Sequence, residues 1–281
     1  MKKWIALLAL CALLLTACGT APQDTGPAVA ATTAPLAQFL EALCENTGIQ
    51  VDLVISEPVS CLHDYSLSVG QMRIVGSADC LFVSGAGLEE FMADALSQAK
   101  ATVDCSQGVD LLELDGEPDP HIWLAPRNAE TMAKNAADGL AALYPQYSDT
   151  FRENLTALTA RLEDLQQYGE ETLKDLSCRE LITFHDGFAY FAEAFDLTIL
   201  ASIEEESGSE ASAKSLAEIS TLVQTHNIPV VFTETNGSTA GAEAIARETG
   251  CGLSTLSTGL GGGDYFDTLR QNIDAVKEAL S

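Results

Sequence analysis

The sequence predicts an α/β protein of two similar lobes with mainly parallel sheets, bridged by a long rigid helix. Three observations carry this. From Val29 onward, short apolar or β-branched runs alternate with helical stretches, the order that parallel sheets with crossover helices require. In mid-chain, Phe151, Leu155, Leu158, Leu162 and Leu165 recur at three- and four-residue spacing, the apolar stripe of a long helix. After Glu180 the alternation of short strands and helices begins again.

The first lobe is read over residues 29–125. It takes strand Val29–Thr33, helix Leu36–Glu45, strand Gln50–Ile55, helix Val69–Gly76, strand Cys80–Ser84, helix Gly87–Gln98 and strand Ala101–Cys105. Linking helices occupy 126–177. Asn128–Leu143 stops at Tyr144-Pro145, because proline cannot continue a helix. The striped segment then follows, and a continuous helix of about 30 residues would measure ~45 Å, enough to run along both lobes. The second lobe, 178–281, takes strands Glu180–Phe184, Thr198–Ser202, Pro229–Phe232 and Gly252–Leu256. Its helices are Gly187–Phe195, Ala211–Thr225, Ala240–Thr249 and Tyr265–Leu280. Two such lobes place a ligand in the cleft between them, beyond the carboxyl ends of the strands.

The N-terminus indicates export. Lys2 and Lys3 precede the apolar run Trp4–Leu15, and Leu15-Thr16-Ala17-Cys18 ends it as a lipobox. The run is short for a membrane span and reads as a signal peptide over 1–17. Cleavage before Cys18 frees that thiol for a lipid anchor, with 18–28 as a tether. The expected location is therefore extracytoplasmic and membrane-anchored.

The 281 residues carry 41 acidic against 14 basic side chains, a net charge of −27. Loss of 1–17 removes Lys2 and Lys3 and no acid, which takes the balance to −29. Such a charge repels phosphate backbones and excludes nucleic acid as a partner. It suits a soluble, monomeric extracytoplasmic protein and raises the local cation concentration.

Four histidines are present. His63 in Cys61-Leu62-His63-Asp64-Tyr65, His121 in Asp119-Pro120-His121-Ile122-Trp123 and His185 in Phe184-His185-Asp186-Gly187 each follow a strand. All three are expected at the carboxyl edge of a sheet, so they converge on one cleft. Neutral imidazole suits Zn²⁺, and three nitrogens plus one oxygen complete a tetrahedral shell. Asp264 in Gly261-Gly262-Gly263-Asp264-Tyr265 is the candidate fourth ligand, and it is equally well placed as the N-cap of the last helix. Asp64 and Asp186 are candidates to orient the imidazoles. His226 falls at a helix end on the opposite edge, as a surface or capping residue.

These stretches resemble the cluster A-I zinc- and manganese-binding solute receptors of ABC importers. The likeness rests on His63-Asp64-Tyr65, Gly85-Ala86-Gly87-Leu88-Glu89, Asp119-Pro120-His121-Ile122-Trp123-Leu124, Phe184-His185-Asp186-Gly187 through Phe191, Phe232-Thr233-Glu234-Thr235-Asn236, and Asp264-Tyr265 with Leu269-Arg270-Gln271-Asn272. It spans about Val29 to Leu280. It implies capture of Zn²⁺, with Mn²⁺ as the alternative, and delivery to a membrane permease. The three histidine ligands carry over onto His63, His121 and His185, and His185 in place of a carboxylate favours zinc. Relatives carry a carboxylate nine positions before the terminal Asn. Here that position is Gly263 and the acid is Asp264, so water or another carboxylate is also open as fourth ligand. The His-rich loop of zinc-type relatives is absent, since Gln107–Asp119 holds acids and no histidine.

Six cysteines remain once Cys11 and Cys18 are set aside. In an oxidising compartment they read as disulfides. Shared sheet edges suggest Cys44–Cys80, Cys61–Cys105 and Cys178–Cys251. A zinc hydrolase and a lipid-anchored adhesin are the rival functions. The chain has no His-Glu-x-x-His helix, so the expectation is a receptor and not an enzyme.

Overall fold

The computed structural model describes residues 26–59, 62, 65–114, 116–204 and 211–281. The signal peptide, Cys18 and most of the tether lie outside them, as do Cys61, His63 and Asp64.

The first sheet contains β1 (Ala28–Ala31), β2 (Gln50–Leu53), β3 (Cys80–Val83) and β4 (Thr102–Asp104), all parallel, in the order β2-β1-β3-β4. Central strands need apolar side chains on both faces, and β1 and β3 are buried almost throughout. The crossovers are α1 (Ala34–Leu43), α2 (Val69–Ser77) and a short turn of helix, α3 (Ala93–Leu96). Pro35 opens α1, which buries Leu36, Phe39, Leu40 and Leu43 on one face. Ser68 and Gln71 cap α2 reciprocally. The expected helix Gly87–Gln98 is divided into a 3₁₀ turn, Leu88–Met92, and α3.

The division follows from the loop before it. Gly85, Ala86 and Gly87 all adopt positive φ (84°, 53° and 87°). The buried Glu89 carboxylate holds them there by accepting bonds from Ser84 N (2.7 Å), Gly85 N (3.0 Å) and Thr32 Oγ1 (2.6 Å). A Cβ on Gly85 would fall 2.0 Å from Asp104 Oδ1, so this turn needs glycine for space as well as for φ. Burial pushes the Glu89 pKa up to about 7.

A small antiparallel hairpin, β5 (Glu113–Leu114) and β6 (Glu117–Pro118), comes next. Then α4 (Pro126–Leu143) ends before Pro145, and α5 (Ser148–Leu173) follows. The expected spine of about 30 residues is thus 26 residues long, or ~39 Å at 1.5 Å per residue. It buries Phe151, Leu158, Leu162, Leu165 and Leu173 against α4, α1 and the final helix.

The second half comprises β7 (Glu180–Thr183), α6 (Ala189–Ala194), β8 (Thr198–Ser202), α7 (Ala213–His226), β9 (Val230–Glu234), α8 (Ala240–Thr249), β10 (Gly252–Leu256) and α9 (Tyr265–Leu280). β7 pairs with β8 and β9 with β10, both parallel, and β7 runs beside β9. One continuous apolar core joins the first sheet, α5, α6 and α9, and a smaller cluster lies under β7 and β9. Among the described residues no helix is long and apolar enough to cross a membrane.

Among the described residues the expected disulfides do not appear, and Cys61 lies outside them. Cys44, Cys80, Cys105, Cys178 and Cys251 are free thiols, so neither Cys44–Cys80 nor Cys178–Cys251 forms, and Cys105 is unbridged. Burial pushes the Cys44 thiol up to about 12 and the Cys80 thiol up to about 11. In the second half β9 stands between β7 and β10. A shared sheet edge does not by itself bring two thiols to bonding distance.

Candidate metal centre

His121 and His185 meet. Their Nε2 atoms stand 3.5 Å apart, and the two side chains are nearly inaccessible to solvent. His121 begins a buried 3₁₀ turn, Ile122–Leu124. Asp119 fixes it through an Asx turn: its Oδ1 accepts from His121 N (2.9 Å) and sits 2.8 Å from Nδ1. His185 leaves the end of β7, and its carbonyl accepts from Thr183 Oγ1 (2.9 Å). Its Nδ1 is in direct contact with Glu234 Oε2. Glu234 closes β9, the strand beside β7, and parallel neighbours bring their carboxyl ends together. Glu234 Oε1 in turn lies 3.4 Å from the hydroxyl of Thr258.

Each imidazole therefore gives its Nδ1 to a buried carboxylate and turns its Nε2 to the other ring. A carboxylate on one ring nitrogen fixes the tautomer and leaves the other nitrogen as a lone-pair donor. Two such nitrogens cannot bond each other without a proton or a cation between them. Tetrahedral zinc at ~2.05 Å from each nitrogen would set them ~3.4 Å apart, close to the observed spacing.

The space is kept clear by Gly187. A Cβ there would lie 2.3 Å from His185 Nε2 and 2.9 Å from His121 Nε2. Trp123 and Phe188 flank the two rings. Asp186 acts on the pair through charge: burial raises its pKa, and His185 and His121 oppose the rise.

Asp264 caps a helix. Its side chain accepts from Asp267 N (2.9 Å) as the N-cap of α9. It is exposed, beside a surface pocket lined also by Arg161, Asp164, Phe266 and Arg270. Among the described residues no three His, Cys, Asp or Glu side chains form a metal shell. His226 ends α7 and contacts Glu180 Oε2 (3.0 Å) on the surface.

Asp186, next to His185 in sequence, is thus not the carboxylate on either described ring's Nδ1, and Asp64 lies outside the described residues. Asp119 and Glu234 were missed in that role. A usable sign did exist: each is an acid next to a strand or turn at the edge that carries the histidines.

Comparison with known proteins points to one family. The family model described as zinc-uptake complex component A, periplasmic, matches residues 29–279. The chain is 29% identical to the high-affinity zinc uptake system protein ZnuA of Bacillus subtilis (strain 168), over 99% of this chain and 98% of that protein. It is 28% identical to the zinc-binding lipoprotein AdcA of Streptococcus pneumoniae (strain ATCC BAA-255 / R6), over 99% of this chain but 61% of that longer protein. A crystal structure of ZnuA superposes with a TM-score of 0.82 at 30% identity, covering 91% of this chain and all of that one.

Proposed function

Because the chain belongs to the zinc-uptake complex component A family, we propose that it captures Zn²⁺ outside the cytoplasm and delivers it to an ABC importer. The observation that carries this is the pair of opposed Nε2 atoms at 3.5 Å, each set by its own carboxylate. His63, His121 and His185 supply three nitrogens in this reading. With Asp264 engaged as a helix cap, the fourth position belongs to water. Zinc is preferred to manganese because an all-imidazole set is a softer donor than the carboxylates that suit manganese. Residues 29–125 and 178–281 are the two lobes, 126–177 the linker, and Cys18 the lipid-bearing residue of the mature chain. In this reading the protein is a receptor and not an enzyme, since the chain carries no His-Glu-x-x-His helix.

Zinc titration of the mature protein tests this. At a thousandfold excess over Kd, zinc adds about 4 kcal/mol to stability, read as a rise in Tm of roughly 10 °C for a chain of this size. No thermal shift and no calorimetric heat with zinc would sink the proposal. The cap is tested separately by Asp264→Ala, which should lower stability by about 1 kcal/mol and leave the zinc Kd unchanged. A weakened Kd in that variant would return Asp264 to the metal shell.

A further inference from the structure

The base of the β5–β6 hairpin is irregular. Glu113 pairs with Pro118, so Leu112 and Asp119 form the next pair outward. An antiparallel pair of this kind exchanges two backbone bonds. One is present, from Asp119 N to Leu112 O at 2.8 Å. The return bond is split: Leu112 N donates to the Tyr190 hydroxyl at 2.9 Å, and that hydroxyl donates to Asp119 O at 3.0 Å. Tyr190 is fully buried and belongs to α6, five residues beyond His185. A side chain from α6, the helix that follows the His185 loop, is thus inserted into the ladder that leads to His121.

Asp119 is also the residue whose Oδ1 holds both the backbone N–H and the Nδ1 of His121. We propose that Tyr190 is a positioning residue for metal capture: its inserted hydroxyl keeps the hairpin base apart by the width of one oxygen and so places Asp119 and His121 opposite His185. This rests on His121 and His185 being ligands. Without the hydroxyl, Leu112 N–H and Asp119 C=O can bond directly at ~2.9 Å. The ladder closes, and Asp119 moves toward Leu112 and draws His121 from its place. The same closure replaces the lost bonds, so the fold keeps its stability while the site loses its geometry.

Tyr190→Phe in the mature chain is the test, with zinc as the ligand. The zinc Kd is expected to rise about 10- to 100-fold, the usual effect of losing an outer partner of a metal ligand, mainly through faster dissociation. The Tm of the zinc-free protein should stay within about 2 °C of wild type, since one hydrogen bond replaces two of modest net value. A merely structural tyrosine would give the reverse, a lower Tm and an unchanged Kd, and a Kd within twofold of wild type overturns the proposal. In the wild type, saturating zinc should slow amide exchange at Leu112 at least tenfold, and unchanged exchange there also counts against it. Failure of the wild type to bind zinc would instead defeat the receptor reading, which separates the two.

Discussion

Gly187→Ala is expected to abolish zinc capture with every proposed ligand still in place. Zinc must sit ~2.0–2.1 Å from each nitrogen it binds. The new methyl would stand 2.3 Å from His185 Nε2 and 2.9 Å from His121 Nε2, in the volume that the ion needs. Both neighbours are buried rings, each tied by Nδ1 to a carboxylate, so neither can retreat without breaking that contact. Affinity should fall by at least roughly a thousandfold, equivalent to about 4 kcal/mol. The zinc-free protein should lose about 1–3 kcal/mol from overpacking. His121→Ala is the companion variant: it removes a ligand, opens the same space, and should also lose most of the affinity. Calorimetry on the two variants separates crowding from ligand loss. Zinc bound by Gly187→Ala within tenfold of wild type would mean that the ion does not sit between the two Nε2 atoms.

Neither that glycine nor the orienting carboxylates could be identified from spacing alone, although much else was. β8, β10, α8 and α9 have the bounds that periodicity and turn residues suggest, because alternating apolar runs and Gly or Pro breaks report local structure directly. The hairpin Glu113–Pro118 escaped notice, since strands of two residues carry no period to detect. The helix expected from Gly87 yielded to a buried acid, Glu89, which bonds the preceding loop and imposes a 3₁₀ turn. At the site, His121 and His185 were legible as loop histidines at the carboxyl edges of strands. Their partners are a different kind of fact. Glu234 lies 49 positions beyond His185 in the numbering and reaches it only because β9 runs beside β7. Sequence adjacency favours Asp186, whereas strand adjacency selects Glu234. Asp264 shows the converse: an acid before a helix fits two physical roles on paper, and the bond its carboxylate accepts from Asp267 N is the capping one.

Acid should release the metal, and Glu234 should set the pH at which it does. Burial by itself would lower the His185 pKa. The hydrogen bond and charge of Glu234 outweigh burial, Asp186 and Asp119 add to them, and the value is raised from 6.5. In the zinc-free protein the His185–Glu234 pair therefore contributes its full stability below about pH 6.5. That contribution fades as pH climbs through the raised folded value. Zinc binding runs the other way. The ion needs the Nε2 lone pair, so a proton on that ring competes with it. Affinity should drop about tenfold per pH unit below the folded value for this imidazole alone, and the protein should be metal-free at pH 4. Release should begin at a higher pH than an ordinary imidazole would give. Glu234→Gln keeps an oxygen to accept from Nδ1 but removes the charge. Burial then dominates, the His185 pKa falls, and the release midpoint should move to lower pH. At pH 8 the same variant should bind zinc about 10- to 100-fold more weakly, as altered outer partners of a metal ligand do. The two effects have opposite signs, weaker capture in base but better retention against acid, and a general loss of structure cannot produce both. A release curve that superimposes on the wild type would show that Glu234 does not govern proton competition at His185.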